Sequence, residues 1–130
     1  MKAIKVLLVD PDSQMNQLIK ALLENCLDDY AVTTVESGEK ALKLFQPKND
    51  YDVVVTALPL NREDDADPMD SRSLLTGIKS IRAVTPVIFF AASPDSDLEE
   101  TCIEQGFDDF IDKIHTSELA EKVFNSLPRF

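Results

Sequence analysis

Four apolar runs in this chain end on residues that decide its chemistry. KVLLVD ends at Asp10, DVVVTA at Ala57, PVIFFA at Ala91 and DDFIDK at Lys113. Residues that close parallel strands meet at one edge of a sheet, where open α/β folds place their sites. A carboxylate and an ammonium stand at two of those ends and could hold a ligand, or each other. Methyl groups stand at the other two and offer neither a nucleophile nor a hydrogen bond. An unpaired buried charge is costly, so an Asp10–Lys113 ion pair or water bridge is expected. Asp10, Asp12 and the acids Glu63, Asp64, Asp65 and Asp67 are the candidate metal ligands. The last four lie in segment 61–67, NREDDAD, where mutual repulsion favours a solvated loop unless a cation gathers them. His115, the one histidine, is read as a surface residue. Cys26 and Cys102 sit in helical patterns and are read as reduced core fillers. No nucleophile–base pair is visible among the strand ends, so no enzymatic activity is expected.

The elements that must position these groups follow from the apolar spacing. Residues 4–9 read as a buried strand. A helix over 12–27 carries Met15, Leu18, Ile19, Leu22, Leu23 and Cys26 on one face. Residues 30–35, YAVTTV, are β-rich. Ser37 starts a second helix, with Ala41, Leu42, Leu44 and Phe45 inside, which Pro47 stops. Residues 52–56 form a third strand, nearly all valine, as for a strand covered on both faces. Asp70 caps a helix that buries Leu74, Leu75, Ile78 and Ile81. Residues 86–90 form a fourth strand whose Phe89 and Phe90 face opposite ways. Ser93 or Asp95 opens a helix that Gly106 ends. Phe110 and Ile111 mark a fifth strand, and Thr116 caps a last helix with Leu119, Val123, Phe124 and Leu127. Strands alternating with helices imply right-handed crossovers and a mostly parallel sheet.

Composition narrows the function classes. A chain of 130 residues suits one domain, 1–130, with 61–67 as an acidic insertion. A net charge of −11 argues against nucleic acid and against anionic lipid. No apolar run approaches the roughly 20 residues that span a bilayer. The opening MKAIKVLLVDPD runs straight into acids and reads as a strand, not a signal peptide, so a cytoplasmic location is expected.

Several fragments together resemble the response-regulator receiver domain of two-component signalling. They are VLLVDPDS, ESGEKAL, YDVVVTALPL, PMDSRSLLTGIKSIR, TPVIFFAAS and GFDDFIDKI, spread from about Lys5 to about Leu127. The resemblance implies a three-layer, doubly wound, flavodoxin-like fold with a parallel five-stranded sheet in the order 2-1-3-4-5. It implies phosphoryl transfer from a histidine kinase to an aspartate, with Mg²⁺ held by that aspartate and an acidic pair. A Thr or Ser and a Lys contact the phosphoryl oxygens. Such a group spreads negative charge and needs cations and donors around it.

Carried over position by position, most of that machinery is missing. Asp10 matches the first acid. Pro11 stands where the second is usual, and Asp12 comes next. Ala57 stands at the acceptor position, Ala91 at the hydroxyl position, and Lys113 matches the lysine. Ile114 replaces the proline that follows it, and Ser71 a turn glycine. Phe110 matches the aromatic switch position, where plain packing is the expected role. A slip of one residue would place Thr56 at the acceptor position, but a threonine is not a carboxylate. The expectation is a pseudo-receiver, a phosphorylation-independent protein-interaction module without a cofactor and with Mg²⁺ bound only at low affinity. Its partner surface would be the face of the fourth helix, fifth strand and fifth helix, drawing on Glu99, Cys102, Ile103, Phe110, Asp112 and Glu118. The alternative is a divalent-metal or small-ligand domain using Asp10, Asp12 and the acidic insertion.

Overall fold

In a computed structural model of the chain, the structure describes residues 4–26, 30–46, 51–57, 71–91, 96–112 and 118–126. Among the described residues five strands, β1 (Ile4–Val9), β2 (Tyr30–Val35), β3 (Val53–Thr56), β4 (Val87–Ala91) and β5 (Asp109–Asp112), alternate with five helices. These are α1 (Ser13–Cys26), α2 (Gly38–Leu44), α3 (Ser71–Ile81), α4 (Ser96–Gln105) and α5 (Leu119–Ser126). All four strand pairings are parallel, and the sheet runs β2-β1-β3-β4-β5. The expected order is therefore observed.

Alternation along the strands divides the core in two. Leu7, Val9, Val54, Val87, Phe89 and Ala91 meet α2, α3 and α4 on one face. Val6, Leu8, Val53, Val55, Ile88 and Phe90 meet α1 and α5 on the other. Phe89 and Phe90 thus face opposite ways, as the alternation requires. Val53, Val54 and Val55 have no exposure at all, which explains why β3 carries no polar period.

Local chemistry sets the ends. The Ser37 side chain accepts from the Lys40 N–H and caps α2. At α4 the Phe107 N–H reaches the Cys102 carbonyl and the Gly106 N–H the Ile103 carbonyl. That is the Schellman pattern, and it needs the positive φ of Gly106, 106°. β3 begins at Val53, not at Asp52, because the Asp52 carboxylate turns back to accept from the Lys5 N–H at 2.8 Å. β4 begins at Val87, since Pro86 has no N–H for the ladder, although its carbonyl still accepts from Val54. Lys79 binds Asp108 at 2.9 Å and the Thr85 carbonyl at 2.7 Å, tying α3 to the start of β5.

Two expectations about α1 are corrected. The helix starts at Ser13, with Asp12 outside it as a cap, and is described as far as Cys26. Leu18 is 60% exposed, not inward. The buried stripe runs through Asn16, Ile19 and Leu23, and Leu18 sits about 100° around the helix from Ile19. Ile81 is half-buried, where Leu74, Leu75 and Ile78 are fully inside. Pro47, Asp70, Ser93, Asp95, Thr116 and Leu127 lie outside the described residues, as do the side chains of Cys26 and Phe124.

Glu24 on α1 carries a pH-dependent contact. Its carboxyl is held below the usual range, chiefly by the Val32 N–H, with burial opposing and Lys20 adding to the lowering. A lowered folded-state pKa means stability that is present above the ordinary glutamate range and lost as pH falls through the folded value. The group is largely solvated, so the effect is small. Comparing wild type with Glu24→Gln in urea titrations should show a gap at neutral pH that closes in acid; a gap that widens in acid would contradict the assignment.

Candidate functional site

The carboxyl ends of β1, β3, β4 and β5 converge as their register dictates. Val9 lies beside Thr56, so Asp10 and Ala57 leave neighbouring strands at the same level. The Ala57 N–H donates to the Val9 carbonyl at 2.7 Å, extending the ladder by one bond. Ala91 closes β4 opposite Asp112, the last residue of β5. Lys113 lies outside the described residues, and with it the expected pairing to Asp10. Ile114, His115 and the acids Glu63, Asp64, Asp65 and Asp67 lie outside them too.

Asp10 is 3% exposed, and its carboxylate accepts from the Asp12 N–H at 2.9 Å. Its own N–H donates to the Val35 carbonyl at 3.1 Å. Pro11 is exposed and brings no ligand. Asp12 is exposed, and one of its carboxylate oxygens accepts from the Gln14 and Met15 N–H groups at 3.0 and 3.3 Å. It serves as the N-cap of α1, where an acid satisfies donors that the helix leaves over. Ala57 is half-buried and packs with its methyl toward the α1–α5 face. Ala91 is 5% exposed, within the opposite cluster. The arrangement sets a buried carboxylate level with the Ala57 methyl, while the Ala91 methyl packs on the other face of the sheet. Among the described residues, no group of three or more His, Cys, Asp or Glu could hold a metal ion.

Thr56 does not stand in for a missing acceptor. It is fully buried, and its hydroxyl shares a 2.9 Å hydrogen bond with that of Ser71 at the start of α3. Ser71, noted in the sequence only as the replacement of a turn glycine, thus has a structural partner.

Asn16 escaped sequence reasoning. Its side-chain amide donates to the Asp10 and Val35 carbonyls at 2.9 and 3.1 Å, tying the turn after β1 to the end of β2. The signal was a polar residue three positions before Ile19 and seven before Leu23, on the inward stripe. A cleft of about 270 Å³ opens beside it, over the end of β2, lined also by Ser13, Gln17, Thr34, Glu36 and Lys40. None of the expected pocket residues lines it.

The aromatic position is packed inward. Phe110 is 8% exposed and stacks on Phe89, with centroids 5.9 Å apart and planes 8° from parallel. Phe107 meets Phe89 edge-on at 5.4 Å. Phe110 and Cys102 both belong to the core, so neither adds an exposed side chain to the expected partner face. Cys102 has no exposure, and burial pushes its thiol up to about 11, so it is an inert filler. Of the other residues expected there, Ile103 is 52% exposed, Glu118 is exposed and Asp112 half-buried, while the Glu99 side chain lies outside the description.

Known proteins share this fold. The family described as the response regulator receiver domain matches residues 6–124. A rice protein, the two-component response regulator-like PRR37 of Oryza sativa subsp. indica, is 32% identical over 122 residues. That stretch is 91% of this chain but 15% of the rice protein, so the chain corresponds to a small part of that relative. The receiver domain of the Francisella response regulator 1452 superposes with a TM-score of 0.78 at 28% identity, covering 94% of each chain. A response regulator receiver domain from Clostridium thermocellum gives 0.77 at 27%, covering 94% of this chain and 92% of that one. With the same strand order and a match along nearly its whole length, the chain belongs to the response regulator receiver domain family.

Proposed function

We propose that this receiver works without phosphoryl transfer, as a protein-interaction module whose output is set by what binds it. The observation that carries this reading is Ala57, a methyl group at the end of β3, level with Asp10. Alanine cannot form an acyl phosphate. The loss is supported by its neighbours, since Ala91 has no hydroxyl for the phosphoryl oxygens and Pro11 no carboxylate. Asp12 already gives one carboxylate oxygen to α1. Magnesium demands several hard oxygen ligands in near-octahedral geometry, and this donor set does not fit it. Only low affinity is expected, and no catalytic step is assigned to the chain.

The face of α4, β5 and α5 is the proposed partner surface, with Ile103, Asp112 and Glu118 as its contributors. The inward Phe110, wedged against Phe89, favours one fixed state of that face. Net charge of −11 suits a protein partner with a basic surface and disfavours nucleic acid. Among the described residues no helix is long and apolar enough to cross a membrane, and the module is proposed to act in the cytoplasm.

Beryllofluoride with Mg²⁺ mimics a phosphoryl group on an aspartate, and a receiver activated in that way shares the fold of this chain at 23% identity. Amide NMR spectra of this chain should not change at Phe110, Ile111 or Cys102 when it is added. Localised shifts at those amides would overturn the proposal.

A further inference from the structure

A pair of side chains from α1 closes the free edge of the sheet, and we propose that Lys20 and Glu24 guard it against a second copy of this chain. Among the described residues β2 is an edge strand, with β1 on one side and no strand on the other. In a parallel ladder, alternate residues aim both backbone groups to the same side. The Val35 carbonyl accepts from Asp10 just past β1, so Val35 faces β1. Tyr30, Val32 and Thr34 then face away. Of these, Val32 is the central one, and both of its groups are taken. Lys20 Nζ donates to its carbonyl at 2.8 Å. Its N–H donates to Glu24 Oε2 at 3.1 Å. The two side chains, four residues apart on α1, bridge each other at 3.2 Å.

The strand beneath needs such a guard. Tyr30–Val35, YAVTTV, has no charge, no proline and no glycine, and all but one of its residues favour strands. An uncharged edge of this composition is a template for strand addition. Two identical copies can satisfy each other by antiparallel pairing about a twofold axis, which is a closed arrangement. The clasp removes the central donor and acceptor from that ladder. Net charge of −11 adds a long-range repulsion between copies, which salt screens. None of this depends on the phosphorylation chemistry of the strand ends.

The test is the double variant Lys20→Ala/Glu24→Ala, since alanine preserves the helix. Glu39→Ala/Lys43→Ala is the control, with the same spacing and charge change at exposed positions on α2. Sedimentation velocity over a concentration series should show a monomer for wild type and control. The Lys20→Ala/Glu24→Ala chain should self-associate about tenfold more strongly or better, and more so in high salt. Hydrogen exchange at the Val32 and Thr34 amides should slow as it associates. If that variant does not fold, Lys20→Met alone, which frees only the Val32 carbonyl, should give the same trend in weaker form. A folded variant that stays monomeric, or one that associates with no change at the β2 amides, would overturn the proposal.

Discussion

A chain carrying Pro11→Asp, Ala57→Asp and Ala91→Ser together is expected to take up one phosphoryl group from acetyl phosphate in Mg²⁺. The three changes restore a second acid beside Asp10, a nucleophile at the end of β3 and a hydroxyl at the end of β4. Each answers a separate need of phosphoryl transfer: metal ligation, attack, and stabilisation of the charge on the transferred oxygens. Ala57→Asp alone should remain nearly inert, because its metal would be held by too few carboxylates. Without Mg²⁺ the triple variant should be less stable than wild type, since it gathers like charges at one sheet edge. Serine is chosen at position 91 because that site is 5% exposed and a larger side chain would overpack it. Intact mass of the folded protein with and without acetyl phosphate reads the outcome. Failure of the triple variant, folded and in saturating Mg²⁺, would mean that the pocket differs from an active receiver by more than these three side chains.

Phe89→Ala should be the most destabilising single change in the aromatic cluster. Phe89 lies on β4 between β3 and β5, 4% exposed, with Phe110 stacked on it and Phe107 against its edge. Truncating a buried phenylalanine to alanine costs about 3–5 kcal/mol. The lost ring pairs are included in that cost, at about 0.5–1.5 kcal/mol each. Natural domains hold only about 5–15 kcal/mol in total, so the variant would sit near its unfolding threshold. Urea unfolding should show a large fall in midpoint. A loss below about 1 kcal/mol would show that Phe110 and Phe107 repack, and that the inward position of Phe110 is not fixed by Phe89.

Much of the fold was legible in the residues themselves. Val53, Val54 and Val55 announced a strand buried on both sides, and the parallel sheet followed. Ser37 and Gly106 marked helix ends through capping and a left-handed turn, which depend on one or two residues and so survive reading in isolation. The strand order came from the family resemblance, because alternation alone does not fix it. What failed was orientation around helices and across strands. Leu18 fitted the apolar stripe of α1 by type, yet Asn16 took the inward place, because the sheet turns above it present carbonyls that need a donor. Asp12 is a ligand candidate by its letter, and the helix that starts at the next residue, Ser13, takes one of its carboxylate oxygens as a cap. Cys102 and Phe110 count toward the outer face by element and toward the core by residue type, and the structure buries both. The methyl groups at positions 57 and 91 needed no structure, since a missing carboxyl is visible in the letter alone.

The central claim is tested most directly by the intact mass of the wild-type chain after incubation with acetyl phosphate and Mg²⁺. The expected spectrum is that of the unmodified protein, at every concentration of phosphodonor. A stoichiometric gain of one phosphoryl group, on Thr56 or on any other residue, would contradict the account.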